Sequence, residues 1–193
     1  MSSYPGSEDC YRIMREERLS PVVMRHVCVV NLVAMAIARR CGADLELVNA
    51  ASLLHDIGRS RTHGIGHVAE GVRIARERHL PEGLVLCIGR HVASGFTSEE
   101  ARELGLPEGD YMPLTLEDKV VSFADNLVSD RSIKTVAQAV ERMRAKGFEM
   151  SASRMVAIGR ELEGLCGEGI DALLEAAGVR EAAARECDAL TAT

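Results

Sequence analysis

The chain has 193 residues, 47% apolar and 27% charged, with three Phe, three Tyr and no Trp. That length buries a real core, and a core built from Leu, Val, Ile, Ala and Met favours helices over a β-sandwich. The formal charge of −6 excludes a general nucleic-acid-binding face, which must be basic, but leaves room for a local basic pocket.

In chain order, Ser20-Pro21 reads as an N-cap followed by proline at the first helical position, opening a helix that Cys41-Gly42 stops. Its stripe Val22, Val23, His26, Val27, Val30, Val33, Ala34, Ile37 has the helical period. Asp44 caps a helix over Leu45–Ile57 with Leu47, Val48, Ala51, Leu54 and His55 on its buried face, and Gly58 ends it. Residues 67–79 form the next helix, stopped by Leu80-Pro81, and 81–91 a shorter one, stopped by Ser94-Gly95. Residues 97–113 hold a short helix and a turn-rich connection. Residues 115–129 then form a strong helix, TLEDKVVSFADNLVS. Two to four further helices follow, broken near Gly147, Gly167 to Gly169 and Gly178. No run alternates with strand period, so the chain is all-α. It divides into an N-terminal segment (1–18), a helical core (19–147) and a C-terminal helical extension (148–193) that packs on the core or forms a homodimer face.

The six cysteines are scattered, without a CxxC pair, and several lie in apolar helical runs, so they read as buried free thiols. The N-terminus has no apolar leader core, and no uninterrupted apolar stretch matches a bilayer. The expectation is a cytoplasmic protein without membrane contact.

Three polar positions conflict with their surroundings. Asp56 stands in the last turn of an apolar helix, where the macrodipole disfavours a carboxylate and burial disfavours an unpaired charge. His26 and Asp125 lie on the apolar stripes of two other helices. Separately, each has a structural explanation: an ion pair of Asp56 with Arg59 or Arg61, a core histidine, a buried salt bridge. Together with His55 they supply four N/O donors from three helices, a mixture that suits Zn, Mn, Fe, Co or Ni.

His26, then His55-Asp56, then Asp125 resemble the H…HD…D signature of the HD-domain metal-dependent phosphohydrolases, with LLHDIGR close to the HDIG form. HGIGHVAEG and TLEDKVVSFADNL are similar to a small HD group known mainly from archaea and some bacteria. A more distant similarity links the chain to bacterial HD-type diadenosine tetraphosphate hydrolases. The resemblance spans roughly residues 19–147 and implies a single HD-domain helical bundle. It implies that His26, His55, Asp56 and Asp125 hold one divalent metal, and that His67 and His91 hold a second, with Asp56 bridging. His63 competes with His67; Gly64 and Gly66 argue against one helix joining the two, which leaves His63 as a residue that supports the ligands or contacts the substrate.

The implied reaction is metal-dependent hydrolysis of a phosphate ester or anhydride on a small phosphorylated substrate, a nucleotide, by an activated water. Asp56 and Arg59 are the implied catalytic groups. Arg59, Arg61, His63 and Lys119 are the implied substrate contacts, with Arg90 a more remote candidate. Arg59 replaces the lysine that often follows the motif, and a guanidinium grips phosphate bidentately where an ammonium does not. Two other readings use the same fold: a diiron oxygenase and a non-catalytic nucleotide-binding regulator.

Overall fold

The computed structural model describes residues 4–129 and 132–187, and its regular structure is almost entirely helical. Helix α1 (Ser7–Glu16) opens the chain, and α2 (Pro21–Cys41) runs through its centre. The ends of α2 follow local chemistry. Ser20 Oγ accepts from the Val23 N–H at 3.4 Å, and Pro21 occupies a position where no amide donor is required. Gly42 ends the helix at φ 79°, a left-handed conformation that glycine enters without a Cβ clash. Between these ends Val27, Val30, Val33, Ala34, Ile37 and Ala38 have no exposed surface. By length and composition α2 is apolar enough to cross a membrane, although Arg25, His26 and Asn31 interrupt its apolar run. Half of the stretch is buried inside the fold, as a core helix requires.

Helix α3 (Leu45–Leu54) begins at Asp44, whose Oδ1 accepts from the Glu46 and Leu47 amides at 2.9 and 3.2 Å. It ends three residues before the expected Ile57. His55 caps it, Asp56 leaves the helical region at φ −97°, ψ 15°, and a 3₁₀ turn over Ile57–Ser60 follows. Helices α4 (His67–Glu77) and α5 (Glu82–Arg90) pack on one another, and α4 also lies against the 3₁₀ turn.

Helix α6 (Ser98–Glu103) is short, with a reciprocal Thr97–Glu100 capping box. Helix α7 (Leu116–Leu127) starts with the equivalent Thr115–Asp118 box. It runs into strand β1 (Val128–Ser129), which pairs antiparallel with β2 (Ser132–Ile133) in the register Val128 to Ile133. Two residues are too few to show an alternating pattern, so the sequence could not announce this ladder. Helices α8 (Val136–Ala145), α9 (Glu149–Cys166), α10 (Ile170–Ala176) and α11 (Val179–Ala182) follow, with a π turn over Ala183–Cys187. The breaks between them fall at Gly147, Gly167 and Gly178, all at positive φ.

Helix α2 packs against α3, α7, α9, α10 and the final π turn, so one core joins both ends of the chain. Helix α1 also belongs to it. Cys10, Ile13 and Met14 share one helical face, pack toward α3 and are buried. Only three apolar side chains among charged ones mark that face, which is why the sequence reading assigned the first 18 residues no packed element.

The cysteines require a correction. Cys28 of α2 and Cys187 of the π turn form a disulfide across 159 residues, while Cys10, Cys41, Cys87 and Cys166 are free thiols. Denatured protein treated with iodoacetamide should gain four labels without reductant and six after reduction. Six labels without reductant would show that the bridge does not form.

Candidate metal centre

Five elements bring six side chains to one point: His26 from the second turn of α2, His55 and Asp56 from the end of α3, His67 from the start of α4, His91 from the end of α5, and Asp125 from the last turn of α7. His55, Asp56, His67 and His91 are buried; His26 and Asp125 stand at the exposed edge.

The Asp56 carboxylate divides the cluster. Its Oδ2 faces His55 Nε2 at 3.7 Å and His26 Nε2 at 3.8 Å. Its Oδ1 faces His67 Nε2 at 3.1 Å and His91 Nε2 at 3.7 Å. Asp125 Oδ1 completes the first side, 3.0 Å from His26 Nε2 and 3.5 Å from His55 Nε2. Two overlapping sets, His26–His55–Asp125 and His55–Asp56–His91, each have one ligand atom per residue within 4.8 Å of the others.

One local device orients three of the imidazoles. His55 Nδ1 donates to the Ser52 carbonyl at 2.8 Å, His67 Nδ1 to Gly64 at 2.8 Å, and His91 Nδ1 to Ile88 at 2.7 Å. Each acceptor lies three residues back, and for His55 and His91 it is a carbonyl that a helix end leaves without an amide partner. A carbonyl only accepts, so each Nδ1 must carry the proton, and in the neutral ring Nε2 presents a lone pair.

The cluster is therefore crowded with acceptors. His67 Nε2 and His91 Nε2 stand 3.3 Å apart, and His55 Nε2 and Asp56 Oδ1 are buried without a hydrogen bond. Burial opposes ionisation of Asp56, but the neighbouring His55, His67 and His91 hold its carboxyl below the ordinary range. Desolvation likewise opposes charge on Asp125, and the hydrogen bond to His26 together with the nearby His55 pulls its carboxyl well down. Burial together with His55 and His67 lowers His91 to about 3. His55 moves the other way: burial lowers it, but Asp56 and Asp125 outweigh burial and raise it. Two carboxylates facing inward-directed imidazole lone pairs form the donor set that a borderline divalent cation requires.

A cavity of about 430 Å³ opens onto the exposed edge, lined by His26, Asp56, Arg59, His63, Arg25 and the valines 22, 23 and 128. Arg59 Nε donates to Asp56 Oδ2 at 2.5 Å, and its Nη1 donates to the His63 carbonyl at 3.2 Å. The structure does not bring Arg61 or Lys119 to this cavity. Arg61 pairs with Glu17 at 2.7 Å and Lys119 with Glu161 at 2.7 Å, each a nearer counter-charge than a site one element away. Arg90 is buried against Asp118 and Asp110. Arg25 is the cavity residue that the sequence reading missed. Its signal was adjacency to His26, hidden within an apolar helix.

A family model described as HD domain matches residues 23–130. The chain belongs to the HD domain family. Its relatives include a tRNA (cytidine(56)-2'-O)-methyltransferase from Picrophilus torridus, 38% identical over 86% of this chain and 49% of that protein. An uncharacterized protein from Methanocaldococcus jannaschii is 46% identical over 63% of this chain and 73% of its own length. The chain spans about half the length of the first of these, whose named activity is that of the longer protein. Among solved structures, the phosphodiesterase PgpH HD domain of L. monocytogenes, in complex with cyclic-di-AMP, superposes with a TM-score of 0.51 at 17% identity. The match covers 80% of this chain and 96% of that one, and it shows a shared fold.

In this HD domain the glycine after the His-Asp pair is set by close approach. A Cβ on Gly58 would lie 1.9 Å from the His67 carbonyl oxygen and 2.5 Å from the Gly71 nitrogen. Any side chain there displaces the start of α4, and His67 with it. A Cβ on Gly64, in the same connection, would meet nothing within 4 Å. In denaturant unfolding, Gly58→Ala should cost about 1–3 kcal/mol, whereas Gly64→Ala should stay within about 0.5 kcal/mol. Equal effects would refute the close-packing account.

Proposed function

We propose that this HD domain is a metal-dependent phosphohydrolase acting on a small phosphate ester or anhydride, with nucleotides as the substrate class. The observation that carries this reading is the Asp56 carboxylate, flanked on each oxygen by histidines, three of which (His55, His67 and His91) have Nδ1 committed to a backbone carbonyl. His26, His55, Asp56 and Asp125 would hold one ion, and His67 and His91 a second, with Asp56 shared. A divalent transition metal (Fe, Mn, Co, Ni or Zn) supplies Lewis-acid charge there and makes water a nucleophile near neutral pH.

The remaining groups suit a phosphoryl substrate. Arg59 is anchored through Nε and Nη1, which leaves other guanidinium donors for phosphoryl oxygens. Arg25 adds a second positive charge to the cavity lining. Developing charge on the transferring group is stabilised by such fixed cations without reorganisation during the reaction. Val22, Val23 and Val128 give the cavity an apolar wall against which a sugar or base can pack. A volume of about 430 Å³ is that of a small-molecule site. Cyclic-di-AMP is the nucleotide bound by the L. monocytogenes neighbour; for this chain the nucleotide class rests on the cavity and its arginines.

Purified protein supplied in turn with Mn, Co, Ni and Fe should hydrolyse 4-nitrophenyl phosphate or a nucleotide panel, and inactivity with every metal would defeat this reading. Asp56→Ala should abolish both metal uptake and hydrolysis while the helical circular dichroism persists. Metal analysis should find about two ions per chain at saturation and about one in the His67→Ala, His91→Ala double variant. Equal stoichiometry in the two proteins would refute the second site.

A further inference from the structure

Resting on the phosphohydrolase reading, we propose that His63 is the general acid that protonates the oxygen leaving phosphorus. Hydrolysis of an ester with a poor leaving group needs a proton at that oxygen, and few of the described groups lining the cavity can supply one. The two arginines do not release protons at physiological pH. The valines carry none. Asp56 lies among the histidines as an acceptor, and His26 Nε2 is committed to Asp125 at 3.0 Å. His63 differs from all of these. Its imidazole is exposed, lines the cavity, and makes no hydrogen bond or ion pair among the described residues. Imidazole is also the side chain suited to exchanging a proton near neutrality.

The backbone at His63 is located with respect to the metal centre. Its carbonyl accepts from Arg59 Nη1 at 3.2 Å, and Arg59 Nε holds Asp56. The next carbonyl, Gly64, accepts from His67 Nδ1 at 2.8 Å. Two consecutive peptide units are thus tied to opposite sides of the Asp56 carboxylate, while the ring between them is left for substrate.

The step balances without another reactant. Water oxygen bonds to phosphorus as the bond to the leaving oxygen breaks. The protonated His63 ring gives its proton to that oxygen, and the attacking water releases one to solvent. Neutral His63 then regains a proton from solvent, so the net reaction is ester plus water to alcohol plus phosphate.

The test compares two leaving groups. 4-Nitrophenolate departs without protonation, whereas phenolate needs it. His63→Ala and His63→Gln should each lose about 100-fold in kcat/KM on phenyl phosphate, within the span of general acid catalysis. The loss on 4-nitrophenyl phosphate should be at least about tenfold smaller. Metal content and inhibition by inorganic phosphate should match the wild type, and added imidazole should restore part of the phenyl phosphate activity of His63→Ala. Equal losses on the two substrates, or none on either, would overturn the role of His63 while leaving the hydrolase reading intact. A wild type that cleaves neither ester nor any nucleotide of the panel with any metal would overturn the hydrolase reading, and this inference with it.

Discussion

The structure turns on a buried carboxylate surrounded by hydrogen-bond acceptors. Asp56 sits where α3 ends, with imidazole nitrogens on both of its oxygens and a second carboxylate, Asp125, close by. Burying such groups costs several kcal/mol unless positive charge compensates. Among the described residues Arg59 reaches Asp56 as a permanent cation, at Oδ2. Oδ1, His67 and His91 form a pocket of lone pairs, which is a stable arrangement only around a proton or a metal ion. Selection for such a cluster is difficult to explain by stability, because apolar residues of similar size would pack there at lower cost.

The fold supports the cluster mainly through chain ends. Helices α3 and α5 each place a histidine at their C-terminus, where unpaired carbonyls fix the tautomer of the ring. After His91 the backbone takes a left-handed course through Ala93, Ser94 and Gly95, with φ of 50°, 61° and 92°. Two non-glycine residues in that region carry strain, and the surroundings must enforce it. They do: Ser94 Oγ accepts from Asn126 Nδ2 at 3.0 Å, so the segment after His91 is tied to the residue after Asp125. The C-terminal helices brace the same junction. Arg142 of α8 donates to the Asn126 carbonyl at 2.7 Å, and Arg154 of α9 donates to the Gly95 carbonyl at 2.9 Å. Among the described residues, the last third of the chain thus supports the centre without lining its cavity.

Much of this was legible because it is local. Ser20-Pro21, Asp44 and Thr115 announce helix starts through the amides they satisfy, and Gly42, Gly147, Gly167 and Gly178 announce stops through conformations that other residues avoid. His26 and Asp125 drew notice for the opposite reason, as polar groups on stripes whose period marks them as inward-facing. Less visible was anything set by a neighbour distant in sequence. Arg61 and Lys119 stood behind Arg59 as candidate phosphate contacts, and Glu17 and Glu161 claim them. The Cys28–Cys187 bridge joins residues 159 apart, and no local spacing reveals such a pair.

By itself, then, the sequence determined an all-α chain, the starts of its main helices, and the identity of the polar side chains that turn inward. Those follow from hydrogen-bond and steric preferences acting over a few residues. Tertiary structure alone decided which oxygen of Asp56 each histidine faces, which arginines reach the cavity, and why Gly58 must lack a side chain. These depend on where α4 crosses the turn after α3, and that crossing is settled by backbone atoms 1.9 and 2.5 Å from a Cβ that is not there.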